Sequence, residues 1–271
     1  MISTERRNPK TTHIDKASTL EALRLINQEN MNSVNAVGNA IEDIAKAVDA
    51  ITLAMQKGGR LIYVGAGTSG RLASADAAEC PPTFGVDYNT VIAVVAGGPS
   101  ALVKASENVE DLADEGLMAI KNVNLTEKDV VMGISASGNA QFIIQAMQYA
   151  KEIGATTVSL SSNKDAKIAK LADYPIFCDT GAEVITGSTR MKAGNSQKMV
   201  MNMITTTVMI KLGKVYENMM INLKPTNIKL RDRMIRIVIE MTGVDYQTAE
   251  NLLEENDFVI RKAVESYKGG K

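Results

Sequence analysis

Hydrophobic positions along this chain change their period twice. Leu20, Leu23, Leu25 and Ile26 follow the capping-box sequence Ser18-Thr19-Leu20-Glu21 and predict a helix that turns these four side chains inward. From about Ser33 to Lys57, Val37, Ile41, Ile44, Val48, Ile51 and Met55 recur at spacings of three and four, which predicts one longer helix stopped by Gly58-Gly59. Past that point the pattern becomes short unbroken apolar runs at Arg60–Gly65, Val91–Ala96, Val130–Ile134 and Ala155–Leu160, with a weaker one at Tyr174–Cys178. Each is followed by a stretch that can be helical. Runs without polar alternation are buried on both faces, and strands alternating with helices make an α/β fold with a parallel sheet and right-handed crossovers.

Two further helical patterns complete the chain. Arg190–Tyr216, rich in Met, Ile and Val, predicts one long helix terminated near Gly213, with Met199 to Met209 in the core or at a subunit interface rather than around a ligand. From Leu230 onward, short helices flank a Thr242-Gly243-Val244-Asp245 turn and carry Ala249, Leu252, Leu253, Val259 and Ala263. Roughly 40 residues bury little core alone, so this is a small appendage. The expected organisation is an N-terminal helical segment at 1–57, an α/β domain at 58–225 and a C-terminal helical appendage at 226–271.

Composition and charge then remove whole classes. Among 271 residues, 30 Lys plus Arg stand against 31 Asp plus Glu, a net charge of −1 with no basic excess to hold nucleic acid. No apolar run approaches the roughly 18 to 20 residues of a spanning helix. The polar start MISTERRNPKTTHIDK has no apolar signal core, so a cytoplasmic protein that does not bind membranes is expected. Cys80 and Cys178 lie far apart without a CxxC or Cys/His cluster, which argues against a disulfide framework and structural zinc. Cys80 reads as a buried small residue rather than a reactive thiol. The single histidine, His13, sits in the polar N-terminal segment, so acid/base chemistry falls to carboxylates, Lys, Tyr or Cys.

Candidate chemistry gathers in two loops. Gly65-Ala66-Gly67-Thr68-Ser69-Gly70 spells G-x-G-x-x-G between a predicted strand and a predicted helix. A nicotinamide site wants an acidic residue at the end of the second strand, and this chain has Val94-Val95-Ala96-Gly97-Gly98 there. Thr68 and Ser69 suit a phosphomonoester instead, because hydroxyls and free N–H groups at a helix N-terminus complement its charge. A tight turn that only packs strand against helix is the plainer alternative. Ile134-Ser135-Ala136-Ser137-Gly138 repeats the setting, although Ser and Gly are ordinary turn residues. Two hydroxyl-rich loops at strand ends would converge on one crevice, the usual ligand position of an open α/β sheet.

The blocks GAGTSGRL (65–72), DAAECPPTFG (76–85), AGGP (96–99), TGSTRMKAG (186–194) and PTNIKLRDR (225–233) carry a resemblance. With the N-terminal RNPKTTHIDKASTLEALRLIN, they resemble the N-acetylmuramic acid 6-phosphate etherases, which have the flavodoxin-like sugar isomerase (SIS) fold. The resemblance implies cleavage of the lactyl ether at C3 of the sugar, giving N-acetylglucosamine 6-phosphate and D-lactate. It places the reaction in amino sugar catabolism and peptidoglycan recycling, and it implies a homodimer with its site near the subunit boundary. The related glucokinase regulatory protein binds sugar phosphates without catalysis, so a non-catalytic sensor is the alternative.

In the implied chemistry, ring opening makes the C2 proton acidic, one carboxylate removes it, a second carboxyl protonates the departing C3 oxygen, and water adds back. No metal or other cofactor is expected. By resemblance, Glu79 is the proton donor to the leaving lactate and Glu110 the base at C2, while Gly67, Thr68, Ser69, Ser135 and Ser137 hold the sugar phosphate. Ser188, Thr189, Arg190 and Lys192 line the site or the dimer contact, or else form a capping turn followed by a solvated basic pair. From the residues alone Glu79 stands out, because Pro81-Pro82 fixes the backbone in an apolar setting that would raise a carboxyl pKa. Glu110, among Glu107, Asp111, Asp114 and Glu115, reads as part of a solvated helix face.

Two departures from the family pattern carry expectations. The family reads A-S-G-R-T-P where this chain has Ala136-Ser137-Gly138-Asn139-Ala140-Gln141, which removes a phosphate hydrogen bond of about 1.5 to 3 kcal/mol and lets Asn139 and Ala140 alter substrate preference. Family members commonly continue through another helical segment, whereas this chain stops at Lys271. Its last helices resemble a ubiquitin-associated-type bundle, read as packing rather than ubiquitin binding.

Overall fold

The computed structural model describes residues 3–269 apart from Glu107, Lys224 and Thr226. Glu107 of the carboxylate cluster and Thr226 of the 225–233 block therefore lie outside the described residues. The chain forms two compact units, one of residues up to Ala77 with Asn89–Val208, the other of Ala78–Tyr88 with the residues from Met209 on.

A five-stranded parallel sheet organises the first unit. Its strands are β1 (Leu61–Gly65), β2 (Val91–Val95), β3 (Val130–Ile134), β4 (Thr156–Ser161) and β5 (Tyr174–Phe177), in the order β2-β1-β3-β4-β5. All five residues of β1 and of β3 are buried, as unbroken apolar runs require at the centre of a parallel sheet. Pro175, which cannot donate to a ladder, falls in the edge strand β5. Helices α3 (Gly67–Phe84), α4 (Ser100–Val103), α5 (Ala113–Asn122), α6 (Gln141–Glu152) and α7 (Lys167–Leu171) follow their strands. The α/β sheet flanked by helices is thus the fold that the periodicity predicts.

The N-terminal helices differ from their predicted pattern. Helix α1 (Thr19–Asn39) does open on the Ser18–Glu21 capping box. Leu20 and Leu23, however, are more than half exposed, and Glu29 and Ser33 occupy the buried face with Ala36 and Val37. The expected second helix does not begin at Ser33. The α1 geometry breaks at Ala40, whose N–H bonds back to Val37 and Gly38, and α2 (Ile41–Gln56) follows. Gly38 and Asn39 are weak helix formers, which places the joint there.

Helix α8 runs only from Lys192 to Lys211. Val200, Met201, Ile204, Val208 and Met209 are buried, in agreement with a core role for the methionine-rich stretch. The predicted continuation to Tyr216 is replaced by an antiparallel pairing of β6 (Val215–Tyr216) with β7 (Met219–Met220) in the second unit. There α9 (Ile228–Thr242), α10 (Tyr246–Glu255) and α11 (Ile260–Gly269) share a core that includes Met234, Val238, Leu253 and Ala263. The predicted turn is present: Gly243 takes φ 76° and its N–H closes α9 on Ile239, while Asp245 caps α10. Among the described residues no helix is long and apolar enough to cross a membrane.

One glycine ties the sheet to the loop beyond β3. Gly138 has φ 72°, a Cβ added there would stand 2.2 Å from the Ala166 Cβ, and its carbonyl accepts the Ile168 N–H at 3.1 Å. Left-handed strain and overpacking then act together, so Gly138→Ala is expected to lower stability by about 3 kcal/mol in urea unfolding. A loss below about 0.5 kcal/mol would contradict this close packing.

Candidate active site

Strand order locates the crevice. The chain leaves β1 toward β2 and β3 toward β4, so the order reverses between the adjacent strands β1 and β3. Ligands of open α/β sheets bind outside the carboxyl ends of the strands at such a switch point. Gly65 pairs with Ile134, so the loops 66–70 and 135–139 leave from neighbouring strand ends at the same level.

The loop after β3 is held from within. Ser135 Oγ accepts the Gly138 N–H at 3.0 Å, Ser137 Oγ accepts the Asn139 N–H at 3.3 Å, and the two hydroxyl oxygens lie 3.4 Å apart. Asn163 donates to the Ser137 carbonyl at 2.9 Å. Ala140 is the N-cap of α6 and makes no side-chain cap bond. In the loop after β1, Gly67 takes φ 53° with open space where a Cβ would stand, and Thr68 is half-buried. Ser69 is buried and its hydroxyl is 2.8 Å from Gln197 Oε1, so this group braces α3 against α8. A cleft of about 500 Å³ opens beside Thr68, with Arg190 and Lys198 on its wall.

The carboxylates assigned by resemblance sit on different elements. Glu110 is exposed in a 3₁₀ turn, Val109–Asp111, that follows Asn108 at φ 63° and precedes α5, rather than on a helix face. It belongs to the same compact unit as both loops. Glu79 belongs to the second unit, near the end of α3, where Pro81 and Pro82 lie inside the helix. It is exposed, not in the apolar setting expected of it, because its neighbour Cys80 takes the inward position. Cys80 and Cys178 are both buried and not joined in a disulfide, and burial pushes the Cys178 thiol up to about 12. Among the described residues no group of three or more His, Cys, Asp and Glu side chains gathers to hold a metal ion.

Lys192 corrects the expected solvated basic pair most sharply. It is 1% exposed, and its Nζ lies 2.7 Å from Oε2 of Glu29, itself 3% exposed. Asn8 donates to the same oxygen at 2.7 Å. Glu183, fully buried, accepts the Lys192 and Ala193 N–H groups at 3.0 and 2.9 Å and so caps α8. Burial pushes the Glu29 carboxyl up, but hydrogen bonds from Lys192 and Asn8 and the Lys192 charge hold it below the usual glutamate value. At Glu183 burial prevails and raises the pKa, countered only in part by the two N–H groups. Ser188 and Thr189 are half-buried in the turn before α8, and Arg190 is exposed.

Comparison with known proteins gives this geometry a lineage. The glucokinase regulatory protein N-terminal SIS domain matches residues 43–151, and the SIS domain matches residues 101–207. The N-acetylmuramic acid 6-phosphate etherase of Halalkalibacterium halodurans is 51% identical over 265 residues, which is 97% of this chain and 88% of that protein. This chain belongs to the etherase family. The etherase of Francisella tularensis subsp. novicida is 47% identical over 97% of this chain and 90% of its own. Fold alone is shared with the phosphoheptose isomerase of Neisseria gonorrhoeae, at 16% identity and a TM-score of 0.54 over 70% of this chain and 99% of that one.

Residue type alone did not mark out the buried charges of this etherase-family chain. Glu29 nevertheless lies in step with Ser33 and Val37 on the inward stripe of α1, and a charged residue there signals a buried partner. Glu29→Gln leaves the Lys192 ammonium buried without its counter-charge, at an expected cost of about 3 to 5 kcal/mol near pH 7. Because the folded Glu29 pKa is depressed, its stabilisation is present above the unfolded pKa of about 4.3 and is lost as pH falls through the folded value. The gap between the wild type and Glu29→Gln in denaturant unfolding should therefore narrow below about pH 4. A gap that widens on acidification would contradict the ion pair.

Proposed function

We propose that this protein cleaves the lactyl ether of N-acetylmuramic acid 6-phosphate, releasing D-lactate and N-acetylglucosamine 6-phosphate. The observation that carries this reading is the 51% identity to a named etherase over 97% of the chain. Two hydroxyl-bearing loops at one switch point support a sugar-phosphate ligand. In this reading Gly67, Thr68, Ser135 and Ser137 present N–H and hydroxyl groups to the phosphate, and the backbone of Ser69 joins them. With the ring open, Glu110 takes the C2 proton while the C3–O bond breaks and Glu79 gives its proton to the lactate oxygen. Water then adds at C3 of the unsaturated aldehyde, and C2 regains a proton. No step draws on a metal or redox cofactor.

The reading extends to a cytoplasmic enzyme of cell-wall sugar recovery that works as a homodimer. Leu20, Leu23, Met31 and Val34 of α1 are each more than half exposed, an apolar stripe that supports self-association. Light scattering should give twice the chain mass for the wild type and a single-chain mass for Leu23→Glu combined with Met31→Glu. A wild type of single-chain mass would contradict the dimer.

Purified protein should release D-lactate from the muramic substrate. Glu79→Gln and Glu110→Gln should each lower that rate by about 10² to 10⁴ without shifting thermal unfolding. Full activity in both variants would overturn the assigned roles. Ligand-induced thermal stabilisation without turnover would favour a sensor instead.

A further inference from the structure

The proposed substrate bears two anions, a phosphate on C6 and a carboxylate on the lactyl branch at C3. The loops 65–70 and 135–139 contain no charged side chain, so they offer only neutral donors. That suits a phosphate at two helix N-termini and leaves the carboxylate without a counter-charge. The cleft beside Thr68 supplies one. Arg190 and Lys198 lie on its wall with Asn30, while Leu72 and Met199 make an apolar side. All of these residues belong to the compact unit that holds both loops. Among the described residues, neither the Arg190 nor the Lys198 side chain closes an ion pair or hydrogen bond, although the Lys198 charge also acts on the buried Asp76 carboxyl.

Arg190 is also placed by a rigid support. Two residues on, Lys192 is fixed through its N–H by Glu183 and through its ammonium by Glu29. The turn is closed by the Gly194 N–H on the Thr189 carbonyl at 2.9 Å and the Asn195 N–H on the Met191 carbonyl at 2.8 Å. The pinned turn fixes the Arg190 backbone, so only side-chain freedom is lost when its guanidinium binds a carboxylate in a two-pronged contact.

We propose that Arg190, assisted by Lys198, receives the lactyl carboxylate of the substrate, with the lactyl methyl against Leu72 and Met199. This rests on the etherase reading. It makes Arg190 the residue that distinguishes the muramic from the glucosamine 6-phosphate, which share the phosphate and differ in the lactyl branch.

Binding of the 1,5-anhydro forms of the two sugar phosphates tests this separately from turnover, because their rings cannot open and no elimination follows. Calorimetry on the dimer or monomer as purified should show Arg190→Gln weakening the anhydromuramic 6-phosphate about 10- to 100-fold. The anhydroglucosamine 6-phosphate should change by less than about 2-fold, and Lys198→Met should act in the same sense but less strongly. Equal losses for both ligands would assign these cations to the phosphate, and no loss for either would remove them from the site; both results overturn the inference. Wild-type protein that discriminates between the two ligands yet releases no D-lactate from the true substrate would strike the etherase reading and leave the carboxylate contact standing.

Discussion

The in-register parallel pairing of β1 with β3 is the constraint on which the ligand crevice depends. Neighbouring parallel strands run about 4.8 Å apart, and with Gly65 opposite Ile134 both chains leave the sheet at one level. Their onward connections then go opposite ways across the sheet, toward β2 and toward β4. The crevice between the loops is a consequence of that divergence, present before any catalytic side chain is considered. A one-residue slip in register would exchange the two buried faces of one strand and stagger the loops by about 3.3 Å.

Charge is arranged in two layers around this frame. Inside, Glu29, Lys192 and Glu183 join the N-terminal segment, α1 and the start of α8 through short, buried hydrogen bonds. Such an arrangement contributes little net stability compared with a well-packed apolar core, but it fixes geometry strongly because losing one partner strands a buried charge. Outside, Arg190 and Lys198 remain at a cleft wall. The inner layer supplies rigidity, and the outer layer supplies charge that a substrate can use.

The strands and their loops were legible in the sequence because burial on both faces leaves an unbroken apolar run, and the ends of all five runs fell within about a residue of the observed strands. The capping box at Ser18 and the Gly243 turn were legible because their chemistry is local. What failed was long-range. Leu20 and Leu23 were expected inside by the rule that apolar faces turn inward, yet that face of α1 lies outward and its opposite face follows Glu29 toward a lysine 163 residues away. The β6–β7 pairing was hidden because two-residue strands carry no period to read. At the site, the two serine and glycine loops were visible as motifs. Glu110 was not distinguishable from its acidic neighbours without the family resemblance, since nothing local separates it from Asp111 or Asp114.

Elimination across C2 and C3 of the sugar, followed by addition of water, would fix where new hydrogen and oxygen enter the products. Running the reaction in deuterated, ¹⁸O-enriched water and analysing both products by mass spectrometry tests this directly. The predicted result is one deuterium at C2 and one ¹⁸O on C3 of the N-acetylglucosamine 6-phosphate, with D-lactate retaining the original ether oxygen. Heavy oxygen in the lactate and none in the sugar would mean displacement at the lactyl carbon, and would contradict the account.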